Sequence, residues 1–199
     1  MLVTIFIRII SKSGISGYQY MTKHFKKITS EIISQNPWWL YKHDTYELPN
    51  GAVGDYYYVE KTGGAMVIPV LDDGRLVLIR QFRYLFGKYS LEFPCGGVAV
   101  GESPNEAAVR ELREQTGYEA EDLIKVGTFE GLNAICKNAV HVFVAHDLEK
   151  VSELKSDSTE FFEVLYRRPD EFGDLVRQGE VWDGLTLSAW ALAKDSLTS

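Results

Sequence analysis

The sequence predicts an α/β fold, in which a mixed β-sheet is flanked by helices and preceded by a small antiparallel β segment. Three observations carry this. Short runs rich in Val, Ile and Leu, bounded by Gly, Asp, Asn and Pro, recur along the chain as strands do. Between them stands one segment with helix-delimiting residues at both ends, Ser103-Pro104 and Gly117. Two further segments of helical spacing, Asp170 to Gln178 and Leu185 to Lys194, complete the cover that a half-apolar sheet requires.

Taken in order, residues 1–27 read as an N-terminal extension. Its opening run LVTIFIRII is apolar but contains Arg8, has no basic leader before it and ends without a small-residue cleavage site, so it does not read as a signal peptide. Met21, followed by Lys23, Lys26 and Lys27, reads as an alternative translation start. Residues 28–62 form a small β subdomain, in which Lys42 to Glu47 and Ala52 to Glu60 flank the turn Leu48-Pro49-Asn50-Gly51 as a hairpin. Residues 63–199 form the main domain. Ala65 to Leu71 and Arg75 to Phe82 are core strands joined through Asp72-Asp73-Gly74, and Leu123 to Glu130, Ala139 to His146 and Phe161 to Tyr166 are further strands.

At 199 residues one hydrophobic core is expected, and no stretch approaches the roughly 20 apolar residues of a membrane helix. A net charge of −7 without a basic cluster argues against long nucleic acid as a partner. A small anion remains compatible, provided local Arg side chains or a bound metal reverse the sign of the pocket. Cys95 and Cys136 are spaced for neither a disulfide framework nor a zinc knuckle, and read as reduced thiols of a cytoplasmic protein.

The chemistry concentrates between Gly96 and Tyr118. Ser103 as N-cap, Pro104 at the first helical position, Glu106 completing a capping box and Gly117 as the left-handed stop delimit a helix of about three and a half turns. Its spacing places Ala107, Arg110, Glu111, Glu114 and Gln115 on one face, with Ala108, Val109 and Leu112 as an apolar stripe beside it. Glu111 and Glu114 converge on one patch, where like charges repel unless a cation intervenes, and hard oxygen ligands suit Mg²⁺ or Mn²⁺. Glu and Arg alone would more simply describe a solvated charged helix.

The preceding loop shifts that balance. Gly96, Glu102, Arg110, Glu111, Leu112, Glu114, Gly117 and Tyr118 resemble the Nudix box, G-x5-E-x7-R-E-U-x-E-E-x-G-U with U apolar. Ile79 to Tyr84, Leu91 to Gly97 and Val140 to Ala145 are similar to the branch that contains ADP-ribose pyrophosphatases and nucleoside-diphosphate-sugar hydrolases, as is the helix after Gly179-Glu180-Val181-Trp182-Asp183. The resemblance runs from about Trp38 to Lys194. It implies an α/β/α sandwich, an N-terminal sheet exchanged within a homodimer, and metal-dependent cleavage of a diphosphate linkage into a nucleoside monophosphate and a sugar phosphate.

By the same resemblance Glu111 and Glu114 are metal ligands, as is the main-chain carbonyl of Cys95, and the Gln115 position ordinarily supplies a further one. Glu102 with Arg110 reads as a structural ion pair between loop and helix, and Gly96 and Gly117 as structural members of the box. Relatives place a water-orienting carboxylate on a distant loop, which makes Glu160 the candidate and Glu163 its reserve. Arg80 and Arg83 carry planar forks suited to phosphate, and Glu92 is a candidate for seating substrate or a second cation. Trp38 and Trp39 are candidates for stacking a nucleobase, with packing in the core or an interface the more ordinary role.

One box position departs: Gln115 stands where the pattern has Glu. An amide keeps shape and one carbonyl oxygen but loses the charge that a hard divalent ion prefers, so metal affinity should fall. The expectation is a working hydrolase of ADP-ribose or a related nucleoside-diphosphate sugar. The alternative is a weakened Nudix-fold protein that binds or senses its nucleotide sugar. A DNA-binding regulator ranks last, because neither a helix-turn-helix segment nor a basic surface is evident.

Overall fold

The computed structural model describes residues 25–151 and 162–197. Its strands are β1 (Lys26–Gln35), β2 (Leu40–Glu47), β3 (Val53–Glu60), β4 (Gly64–Pro69), β5 (Leu76–Arg83), β6 (Lys88–Glu92) and β7 (Cys95–Gly97). They continue with β8 (Tyr118–Glu119), β9 (Leu123–Glu130), β10 (Cys136–Lys137), β11 (Ala139–Ala145), β12 (Glu149–Lys150) and β13 (Phe162–Arg167). The helices are α1 (Pro104–Thr116), α2 (Pro169–Gln178) and α3 (Gly184–Leu197). The chain divides into two compact units, one of residues up to Ser30 with Asp44–Tyr56, the other of Glu31–His43 with Tyr57 onward.

In the first unit Lys27 pairs with Asp44 at 2.6 Å, Thr29 meets Thr45 at 2.7 Å, and Tyr46 packs edge-on against Phe25 and Tyr56. The expected turn is present: the Gly51 N–H donates to the Leu48 carbonyl at 2.9 Å, and Gly51 takes φ 86°, where glycine avoids the Cβ penalty.

In the second unit the main sheet runs β7-β4-β11-β9, with β11 parallel to β4 and antiparallel to β9. β4 is apolar throughout and β11 apolar but for His141, because both strands are largely buried. The period of two sorts their side chains into two cores. Met66 and Ile68 of β4 and Val140, Val142 and Val144 of β11 face a core completed by Leu76, Leu78, Phe93, Phe172, Val181 and Trp190. Ala65, Val67, Phe143 and Ala145 face the other, closed by Ala107, Ala108 and Leu112 of α1. Alanines at the contact bring α1 close to the sheet.

The expected pair of strands around Asp72 to Gly74 does not form one hairpin ladder. Beyond a single bridge, Val70 to Leu76, β4 stays in the main sheet, while β5 joins a separate sheet of order β13-β5-β6. Crossing between sheets there lets Leu76 and Leu78 face Met66 and Ile68 across the first core. The expected division of the helix also shifts: Ala107 is fully buried under the sheet, whereas Val109 is not among the buried residues. The strand β1 was not anticipated, because all ten of its residues are exposed and no alternation marks it.

Leu112 is fully buried beneath the sheet, so Leu112→Ala should destabilise the chain by about 2–5 kcal/mol. Ser103→Ala, which removes only the helix cap, should cost about 1 kcal/mol. Urea unfolding followed by far-UV circular dichroism gives both values, and equal losses would contradict the packing described for α1.

Candidate functional site

The site begins with a strand that has almost no side chains. β7 pairs antiparallel with β4, placing Gly96 opposite Ala65 and Gly97 opposite Gly64. This edge lies directly against α1: a Cβ at Gly96 would overlap the Glu111 carboxylate. Only glycine allows that approach. The helix then starts where its chemistry requires. The Glu106 N–H donates to Ser103 Oγ at 3.2 Å, the Ser103 N–H donates to Glu106 Oε2 at 2.8 Å, and Gly117 ends the helix at φ 73°.

Arg110 joins the loop, β7 and α1. Its Nε and Nη2 donate to the two oxygens of Glu102 at 2.9 and 3.0 Å, and Nη2 also donates to the Gly97 carbonyl at 2.9 Å. Nη1 donates to Glu111 Oε1 at 2.6 Å and to Glu114 Oε2 at 3.2 Å. One guanidinium nitrogen therefore occupies the point on which the two carboxylates converge. Glu102 also accepts the Ala99 N–H at 2.9 Å, and hydrogen bonding by Arg110, with this bond second, lowers its carboxyl to about 2. Hydrogen bonding to Glu102 in turn raises the Arg110 guanidinium.

Glu111 and Gln115 are buried, whereas Glu114 reaches solvent with 56% of its side-chain surface exposed. Gln115 Oε1 accepts the Cys95 N–H at 3.0 Å, while its Nε2 donates to the Cys95 carbonyl at 3.0 Å and to Glu111 Oε2 at 2.8 Å. The structure thus brings Cys95, Glu111 and Gln115 together. Burial pushes the Cys95 thiol up to about 12, with the Glu111, Asp183 and Glu92 carboxylates adding to the shift, so it stays protonated and chemically quiet.

A second cluster flanks this one. Glu92, only 2% exposed, accepts two hydrogen bonds from the Arg83 guanidinium, one of them at 2.7 Å from Nε, and a third from Gln81 Nε2 at 3.1 Å. Arg80 is half-exposed, stacks over the Tyr89 ring at 4.4 Å and meets Glu163 at 3.2 Å. Trp38 and Trp39 are both exposed, with Asn36 Oδ1 accepting their main-chain N–H groups. Glu160 lies outside the described residues. Sequence reasoning gave no role to Gln81 or Asp183. Asp183 accepts the Thr186 N–H at 2.8 Å at the start of α3, and the Asp-x-x-Thr spacing was the available signal.

Among the described residues no three His, Cys, Asp or Glu side chains form a group that could hold a metal ion, and no helix is long and apolar enough to cross a membrane. A hard cation nevertheless needs no such group when one or two carboxylates, water and substrate phosphate complete its shell. Glu111 and Glu114 are two such carboxylates, and a cation shared between them would take the place that Arg110 Nη1 holds.

Comparison with known proteins bears on this arrangement. Residues 60–189 match the NUDIX domain family. The chain is 36% identical to the ADP-ribose pyrophosphatase of Bacillus subtilis (strain 168) over 151 residues, which span 75% of this chain and 81% of that protein. It is 30% identical to the methanol dehydrogenase activator of Bacillus methanolicus over 147 residues, 73% of this chain and 80% of that one. A crystal structure of an ADP compounds hydrolase superposes with a TM-score of 0.76 at 25% identity, covering 88% of this chain and 95% of the other.

The lowered Glu102 carboxyl has a consequence for acid stability. Its stabilising ionisation is fully present above its ordinary value of 4.5 and is lost as pH falls through about 2. Wild type should therefore exceed Glu102→Gln in urea midpoint at pH 6, and the gap should close between pH 4.5 and 2. A gap that stays constant across that range would show that the Glu102 charge contributes nothing.

Proposed function

Because the chain belongs to the NUDIX family and is a hydrolase of pyrophosphate bonds, we propose that it cleaves the diphosphate of ADP-ribose or a related nucleoside-diphosphate sugar. The products are a nucleoside monophosphate and a sugar phosphate. The observation that carries this reading is the convergence of Glu111 and Glu114 on the single nitrogen Arg110 Nη1, at the helix face beside the glycine strand. Those two carboxylates would hold Mg²⁺ or Mn²⁺, which when bound polarises phosphoryl oxygens and activates the attacking water.

The chain's own groups do the rest. Arg110, anchored by Glu102 and Gly97, balances the two carboxylates on α1 until a cation takes the place of its Nη1. Glu92 and Gln81 fix the plane of the Arg83 fork, which with Arg80 is assigned to the diphosphate. Trp38 and Trp39 offer exposed aromatic faces for a base or a subunit contact. Glu160 is assigned to orient the water, with Glu163, already engaged by Arg80, as its reserve. The names of the relatives, an ADP-ribose pyrophosphatase and an ADP compounds hydrolase, support the substrate class. The proposed assembly is a homodimer; β1, with Ile28, Ile32 and Ile33 all exposed, supports it.

A second reading, binding or sensing without fast turnover, is favoured by one observation: the Gln115 amide already engages both main-chain groups of Cys95.

Hydrolysis of ADP-ribose and a panel of nucleoside-diphosphate sugars with Mg²⁺ or Mn²⁺ should yield both monophosphate products. Glu114→Gln should lower kcat by about 10²-fold or more, and Glu160→Gln by about 10²–10⁴-fold against little change for Glu163→Gln. Absence of wild-type turnover, together with tight nucleotide-sugar binding and activity restored by Gln115→Glu, would establish the binding reading instead. Light scattering after gel filtration should give twice the chain mass of 22.5 kDa, and a monomer would remove the subunit role of β1.

A further inference from the structure

The two candidate ligands nearest Glu111, the Cys95 carbonyl and the Gln115 side chain, are bonded to each other. The orientation of that amide follows from its partners. Nε2 faces two acceptors, the Cys95 carbonyl and Glu111 Oε2, and Oε1 faces a donor, the Cys95 N–H. Turning the amide over would set oxygen against oxygen twice and N–H against N–H once. Both Nε2 hydrogens are therefore committed, in a site where Gln115 is 5% exposed and Glu111 8%.

Those two hydrogens lie between two oxygens that repel one another in the absence of a positive group. A carboxylate at position 115 would turn two favourable contacts into repulsive ones, and its buried charge would demand a cation in their midst. The amide supplies that positive density permanently and without net charge. We propose that the Gln115 side chain is a fixed substitute for one divalent cation, so that this chain binds one cation fewer than its Gln115→Glu variant. The site left to a cation is the outer one, Glu111 with Glu114, where Arg110 Nη1 stands. The proposal rests on the metal-dependent reading above and refines it: Gln115 sets how many cations the site takes.

The test counts cations without substrate. Mn²⁺ titration of the full chain, read by the electron paramagnetic resonance signal of free Mn²⁺, should give one equivalent for wild type and two for Gln115→Glu. Two equivalents in wild type, or equal counts in the two proteins, would overturn the proposal. In chelator the variant should melt below wild type, and saturating Mn²⁺ should raise its melting temperature by about 5–10 °C more than that of wild type. Should the variant fold only with Mn²⁺ present, that dependence supports the proposal, and the wild-type count still decides it. Nucleotide-sugar hydrolysis is scored separately. A one-cation difference without turnover keeps this inference and removes the enzymatic one, while turnover with equal counts does the reverse.

Discussion

The Arg110 guanidinium meets oxygens from Glu102, Gly97, Glu111 and Glu114, and every other feature of the site is arranged around that one cation. Its partners come from a loop, a strand edge and a helix, which it joins through one side chain. An ion pair so placed contributes less to net stability than to geometry, because the half-exposed charge loses part of its attraction to solvent screening. What it determines is register. With Glu102 and Gly97 fixed, α1 cannot rotate without pulling the Arg110 guanidinium away from the Glu102 carboxylate and the Gly97 carbonyl.

That register also needs a close approach on the other side. Gly96 sits where any Cβ would strike the Glu111 carboxylate, and Ala107 and Ala108 hold the helix low against Ala65, Val67 and Phe143. Small residues at the contact and a large one, Leu112, at its centre make the approach both near and well packed. The burial of Glu111 and Gln115 is therefore a consequence of packing, since their part of the helix face meets the glycine strand. Packing thus brings two polar side chains into a region where each must find partners, and the hydrogen bonds around Cys95 are those partners.

The sequence made part of this legible. The ends of α1 were readable because caps are local chemistry, and Ser103, Glu106 and Gly117 act as their residue types require. The face carrying Glu111 and Gln115 was readable from helical periodicity alone. Four things were not. β1 has no buried face and so no alternation to read. The division of β4 and β5 between two sheets depends on long-range pairing with β11 and β13, which no local turn signal encodes. Val109 and Ala107 changed places because a period-based stripe cannot tell which of two adjacent edges meets the sheet. At the site, Arg83 read as a free phosphate fork, yet its buried partner Glu92 is nine residues away on the neighbouring strand, a pairing that only the β5–β6 ladder creates.

Gln115 shows how a single departure from a pattern is interpreted differently once geometry is available. From sequence it is a lost charge, and a lost charge at a metal site means weaker binding. In the structure the same residue is fully bonded: one oxygen to a main-chain donor, two hydrogens to two acceptors. A decayed ligand would leave the Cys95 carbonyl and Glu111 Oε2 with no donor between them, at a desolvation cost of about 1–3 kcal/mol for an unsatisfied group. Neither is so left. The substitution keeps the local charge balanced in the absence of metal, whereas a Glu there would require a cation to fold comfortably. The site is consequently more self-sufficient than one built on three carboxylates, and on the proposed metal-dependent reading a cation would sit further out, with Glu111 and the exposed Glu114, where substrate phosphate and water can also reach.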